Sequence, residues 1–471
     1  MLRRSRRREG SLRQEKDSLG TREIPNEAYW GAQTSRAIEN YPISGERAHP
    51  EVIRSYARIK KSCARANADL GRLPAEKAAA IVQACDEVLA GRHADQFVVD
   101  VYQAGAGVSF HMNVNEVLAG RAAEILGKGR GDRSAVHPND EVNLGQSTND
   151  TFPTALHLSA LAVGRALVRE VALLTASFER KGEEFAGILK SGRTHLMDAV
   201  PVTLGQEFRA YAKALEKRRE VLDRSLDALR ELALGGTAAG TGLNSVAGFR
   251  EKAIAYLHAE TGENLSPAAD PREALQSRAA AGDYSSALRA FAVELGRITN
   301  DLRLLASGPA TGIDEIRLPA VQPGSSIMPG KVNPALLECL NMLCFQVIGF
   351  DAANQLAVGG GQIDLNVMMP LLAYNLTRGP QLLINFLPVV RQRCIDGIQA
   401  NTEQCLIYLE DTPSVVTALT PRIGYARAAE IFKDAVARGL RVRDVLLEKK
   451  VLTEEELDRA MSPELLLGPL P

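Results

Sequence analysis

Gly324-Ser325-Ser326-Ile327-Met328-Pro329-Gly330-Lys331-Val332-Asn333-Pro334 is a glycine-bounded loop that runs into an apolar stretch with helical spacing. Asn333 at a cap and Pro334 at the first helical position are the pair expected where a helix begins. Two adjacent hydroxyls and a lysine stand just before that start. The lysine and the unpaired N–H groups of the first turn would face one small volume, which suits an anion. A plain surface loop has no need of the paired serines, the lysine and the cap together.

The residues beyond the loop set the fold class. Leu336, Leu340, Leu343, Val347 and Phe350 recur at steps of three and four, as do Leu288, Phe291, Leu295, Ile298, Leu302 and Leu305. Phe208, Tyr211, Leu215, Leu222, Leu226, Leu229 and Ala233 continue the theme across a charged turn at 217–219. Residues 156–178 are apolar at the same spacing, with Gly164 as the one breaker. Seams this long predict a helix bundle, and core packing explains each stripe. Residues 15–146 mix short helices with loops rich in Gly, Asn and Pro. Shorter helices, including 414–419 and 451–461, come after about residue 400. The expectation is a mainly helical, all-α chain. A mixed helical domain at 15–146 precedes a central long-helix bundle at 147–400 and a small helical domain at 401–471.

At 471 residues the chain exceeds one simple core. Hydrophobic residues make up 45% and charged residues 24%, with a net charge of -1, so no global charge argues for nucleic acid. Arg3, Arg4, Arg6, Arg7 and Arg8 are a local exception. No apolar run comes after them, and Glu9, Glu15 and Asp17 oppose a transit peptide, so residues 1–14 read as a disordered basic arm or an extended start. No stretch reaches the roughly 18 uninterrupted apolar residues of a membrane span. Cys63, Cys85, Cys339, Cys344, Cys394 and Cys405 contain no CxxC pair; buried free thiols in a reducing cytoplasm account for them. The seven histidines lack HExxH spacing, so neither a catalytic metal nor another cofactor is expected.

Two further polar clusters precede apolar helical runs. One is Gln146-Ser147-Thr148-Asn149-Asp150; the other is Gly192-Arg193-Thr194-His195-Leu196-Met197-Asp198, with Pro201 soon after. Each reads as a helix start, and taken singly each is equally a set of simple caps. The first starts a helix of roughly 30 residues and the second lies past its end, which separates them by roughly 45 Å in one chain at about 1.5 Å per residue. If both act on one substrate, different subunits must supply them.

The loop at 324–334 and the two clusters, in this order, closely resemble the aspartase/fumarase superfamily, whose members eliminate or add an amine or water across fumarate. The resemblance extends from about Glu15 to the C-terminus. It implies a homotetramer with a helical core and sites built from three chains. Elimination removes a proton beside a carboxylate, so the enzyme must stabilise a doubly charged aci-carboxylate. The resemblance makes Ser325 the base, its alkoxide favoured by nearby positive charge or loop N–H groups. Lys331 and Asn333 would hold the α-carboxylate. Ser147, Thr148 and Ser326 would bond the other carboxylate, where charge develops, with Thr194 in support. Asn149, Thr148 and His195 would surround the leaving group, and Glu338 matches the acid that pairs with the family histidine.

Smaller differences separate the two activities. Ser147-Thr148-Asn149 looks like the aspartase form, where fumarases resemble Ser-Ser-Asn. Asp198-Ala199-Val200-Pro201 and Asn366-Val367-Met368-Met369-Pro370 are also nearer aspartase, and Ala104-Gly105-Ala106-Gly107 lacks the fumarase hydroxyls. Trp30-Gly31-Ala32-Gln33-Thr34 and Ala233-Leu234-Gly235-Gly236-Thr237 look fumarase-like. The expectation is an aspartate ammonia-lyase acting on a small dicarboxylate, with class II fumarate hydratase as the alternative. Val108 stands where both relatives carry a threonine, leaving neighbouring Ser109 as the substitute contact. His111 replaces a usual asparagine and Ala310 a usual arginine. Lens crystallins in the superfamily make an inactive structural oligomer the remote alternative. A scaffold, however, has no physical need for Ser325, Lys331, Asn333, His195 and Asn149 together.

Overall fold

The computed structural model describes residues 11–460 together with 462, 466 and 467. It is 63% helical, with a few two-stranded ladders, as the helical seams predict. The arginine run at 3–8 lies outside the described residues. The arm assigned to 1–14 ends early, because Leu12–Asp17 pairs antiparallel with Gly20–Pro25. Arg13 anchors this hairpin through Glu15 at 2.7 Å and the carbonyls of Pro25 and Ala28 at 2.8 Å.

Five long helices dominate: Thr148–Glu184, Leu204–Ser225, Ala279–Leu305, Ala335–Gly359 and Met369–Arg393. The chain divides into two compact units, and each of these helices contributes residues to both. One unit holds Met1–Val168, Val221–Ala290 and Gln346–Leu383; the other holds Arg169–Glu220, Phe291–Phe345 and Ile384–Pro471. In the first, the helices Pro50–Asp69, Ala75–Leu89 and Val108–Ile125 pack around Tyr56, Ile59, Ile81 and Val117, all fully buried. In the second, Leu409, Leu419, Ile431, Val445 and Leu457 close a core of short helices at the end of the chain.

The seams at 288–305 and 336–350 are helical, and Phe291, Leu295, Ile298 and Leu340 are buried. The run that continues to Ala233 is not one helix. It stops at Ser225, passes through a single 3₁₀ turn at Asp227–Arg230, and becomes a two-residue strand, Glu231–Leu232, parallel to Ser266–Pro267. Helix Ala335–Gly359 is long and apolar enough to cross a membrane by length and composition, although Glu338, Asn341, Gln346 and Asp351 interrupt it. Leu337, Leu340, Cys344, Val347 and Ala357 form its buried stripe. A second stripe, with Met342 (60%), Phe345 (61%) and Leu356 (79%), is exposed on the single chain.

All six cysteines are free, and only Cys339 is not buried. Burial pushes the thiols of Cys344, Cys394 and Cys405 up to about 12, far from nucleophilic use.

Candidate active site

Ser147 and Asp150 cap helix Thr148–Glu184 reciprocally. Asn149 N donates to Ser147 Oγ at 3.1 Å, and Ser147 N donates to Asp150 Oδ1 at 2.9 Å. The other Asp150 oxygen accepts from Gly235 N and Thr237 N at 3.0 and 2.9 Å, which pins the 235–237 loop to the helix start. Burial raises the Asp150 carboxyl to about 6, and the three backbone N–H groups oppose that rise. Asn149 Nδ2 donates to Ala238 O at 2.8 Å. Ser147, Thr148 and Asn149 therefore stand together, half-buried, at the positive end of a 37-residue helix.

Helix Val108–Ile125 meets this helix start. Gly107, with φ +81, precedes it at a point where an added Cβ would lie 1.9 Å from Phe152. His111 Nδ1 lies 2.6 Å from Thr148 Oγ1. Val108 and Ser109 line a cleft with Gln33, Arg36 and Met112, and Thr148 is not among its residues. The structure thus brings His111 to Thr148, whereas Ser109 belongs to a neighbouring cleft.

In the other unit, the cluster at 192–198 is not a helix start. Leu189–Thr194 and Met197–Thr203 form an antiparallel hairpin, and the next helix opens only at Leu204. His195 and Leu196 make its two-residue turn, with φ values of 57° and 60°. Positive φ at both positions matches the twist of the flanking strands. Thr194 and His195 are exposed at this tip. Below it, Arg193 meets Glu315 at 2.8 Å, and Thr412 Oγ1 donates to Asp198 Oδ2 at 2.8 Å.

The loop at 324–334 is closed by its own groups. Gly324 N donates to Lys331 O at 2.8 Å, and Asn333 Nδ2 donates to Gly324 O at 2.6 Å. A Cβ on Gly324 would lie 2.5 Å from Lys331 O, so this approach requires glycine. Asn333 therefore serves as a loop clasp rather than a helix cap; the Pro334 carbonyl accepts the first helical bonds, from Leu337 N and Glu338 N. Ser325 Oγ accepts from Ile327 N and Met328 N at 3.1 and 3.0 Å. Two N–H donors are what an alkoxide at that oxygen would need. Ser326 is exposed. Lys331, Asn333 and Arg317 line an open cleft of about 540 Å³.

Glu338 sits half-buried in the first turn of Ala335–Gly359. Among the described residues, no ion pair joins Glu338 to His195 within one chain, and no hydrogen bond joins the hairpin tip to the 324–334 loop. No group of three or more His, Cys, Asp or Glu is placed to hold a metal ion, again among the described residues.

A lyase family model matches residues 20–349, and a fumarase C C-terminal model matches 415–468. An aspartate ammonia-lyase of Pseudomonas aeruginosa is 46% identical over 462 residues, covering 98% of both chains. A class II fumarate hydratase of Thermosynechococcus vestitus is also 46% identical, over 457 residues, covering 97% of this chain and 98% of that one. The chain belongs to the aspartase/fumarase superfamily. The crystal structure of a fumarate lyase:delta crystallin from Brucella melitensis bound to cobalt superposes with a TM-score of 0.93 at 47% identity, covering 97% of this chain and 99% of that one. Equal identity to an ammonia-lyase and a hydratase leaves the choice between them to individual site residues.

The loop and both clusters stand out in the sequence, but the groups beneath them do not. Lys60, the neighbour of His111, is 51 positions away in sequence, and Glu315 is 122 positions from Arg193. A lysine inside an apolar helical stripe was the available signal for Lys60.

Proposed function

We propose that this lyase is an aspartate ammonia-lyase. Ser325, as the alkoxide, takes the proton from the carbon beside the β-carboxylate. The electron pair moves into that carboxylate as an aci-carboxylate, and its collapse to fumarate expels ammonia. Ser147, Thr148 and Ser326 donate to the aci-carboxylate, Lys331 and Asn333 hold the α-carboxylate, and Asn149 and His195 receive the leaving group. The observation that carries the elimination is the pair of loop N–H groups on Ser325 Oγ. The Ser147-Thr148-Asn149 form supports ammonia over water as the leaving group.

The sites are assembled between chains of a homotetramer. Thr148 and Glu184 are the ends of one unbroken helix of 37 residues, about 55 Å long, and the groups beyond its far end are best supplied to Thr148 by another chain. The exposed His195 turn and the exposed Met342, Phe345 and Leu356 stripe support such an assembly.

Class II fumarate hydratase is the second reading, favoured by the Ala233-Leu234-Gly235-Gly236-Thr237 stretch that Asp150 holds against the site. Following fumarate absorbance with L-aspartate and then L-malate decides between them. Fumarate formed from L-malate but not from L-aspartate would replace the first reading with the second.

A further inference from the structure

Lys60 and His111 meet in the interior of the first unit, behind the start of helix Thr148–Glu184. Both are buried, and the His111 ring stacks on Tyr56 at 5.6 Å between centroids. Lys60 Nζ lies 2.8 Å from His111 Nε2 and 2.9 Å from both Asn143 Oδ1 and Gln146 Oε1. The two amides owe their orientation to their own donors. Asn143 Nδ2 bonds Gln146 O, and Gln146 Nε2 bonds Val142 O and Leu144 O, which turns both amide oxygens toward the lysine.

Burial lowers the Lys60 amine to about 7, so below that pH it is an ammonium, with three protons and no lone pair, and requires three acceptors. Two are the amide oxygens, and the third is His111 Nε2. That nitrogen must therefore be bare, and the ring proton sits on Nδ1. Burial, and after it the Lys60 charge, holds His111 well below the ordinary histidine range, so the ring is neutral with one proton to place. Nδ1–H then donates to Thr148 Oγ1. A threonine oxygen that accepts from behind keeps its own proton free to donate forward.

We propose that His111 is a positioning residue, locked in its Nδ1–H tautomer by Lys60, that commits the Thr148 hydroxyl to donate to an anionic oxygen of the dicarboxylate. This rests on the reading of Thr148 as a substrate contact. A donor preset toward developing charge acts mainly on the transition state, so the effect falls on kcat more than on KM.

Two measurements test it. In the first, at pH 6, where Lys60 is charged, His111→Phe lowers kcat about 10²-fold with a smaller change in KM. His111→Asn, which retains a donor toward Thr148, stays within about tenfold of wild type. Adding His111→Phe to Thr148→Val brings no further loss, because the residue acts through that hydroxyl. Additive losses in the double variant overturn the proposal. In the second, ¹⁵N NMR of ring-labelled wild-type enzyme at pH 6, assigned by the signal lost in His111→Asn, shows a proton on Nδ1 and none on Nε2. A proton on Nε2 overturns the proposal even if His111→Phe does not fold. The NMR readout needs no turnover, so a wild-type enzyme inactive on both dicarboxylates would defeat the functional reading while the tautomer was still decided.

Discussion

Lys190 Nζ lies 2.6 Å from Glu315 Oε2, with the two side chains 1% and 0% exposed. Glu315 also holds Arg193, the last cation before the His195 turn, and Lys190 reaches Glu207 at 2.8 Å. The exposed His195 turn thus stands on a fully buried ion pair. Removing one member of a buried pair leaves an uncompensated charge, typically at about 3–5 kcal/mol.

Glu315→Ala should therefore destabilise the chain by about 3 kcal/mol, the low end of that range because Glu207 still faces Lys190. Activity should fall with it, because the hairpin loses its anchor. Urea unfolding measures the first effect and steady-state kinetics the second; a variant of wild-type stability would show that the pair does not hold the hairpin.

Ser325→Ala removes an oxygen from an open loop and no core contact, so folding and assembly should be unchanged. Elimination should fall about 10²–10⁴-fold, the range for loss of a proton-transfer group. Near-normal turnover in a correctly assembled variant would move the base elsewhere.

Mixing two inactive proteins tests the shared site. If Ser325 and His195 of one site come from different chains, reassembling Ser325→Ala with His195→Asn creates some sites with neither lesion. Activity then returns as a fraction set by random mixing. Verified subunit exchange without recovered activity would place both residues in one chain.

The pH dependence of stability should carry a Lys60 signature. Burial lowers this amine from 10.5 to about 7 in the folded chain. Between those values the unfolded chain binds a proton that the folded chain does not, so stability rises with pH across the window. The slope approaches about 1.4 kcal/mol per pH unit. Lys60→Met should lose this slope, whatever its overall stability. Parallel stability–pH curves for the two proteins would assign the slope to another group.

The bundle was legible because periodicity needs only neighbours in sequence: Leu288 through Leu305 declares one face of one helix. The 324–334 loop was legible as the approach to a helix, but Asn333, expected as the cap, instead clasps Gly324 O nine residues back. The hairpin at 189–203 was not. Its turn is His195-Leu196, without the Gly, Asn or Asp that usually marks two positive φ values, and the helical run after Pro201 suggested a helix start instead. Val200, Val202 and Thr203 were the remaining strand signal. His111 stood out as a departure from its relatives, but its meaning depends on Lys60, and only the folded chain brings the two together.

The unbroken helix Thr148–Glu184 also constrains how this chain can change over time. Each residue gained or lost within it turns everything downstream by about 100° and shifts it by about 1.5 Å. One deletion would swing Leu174 and Phe178 from the core toward solvent and carry the far end out of register with the first turn. Substitutions can accumulate along its outer face, but insertions and deletions are confined to the stretches beyond its two ends.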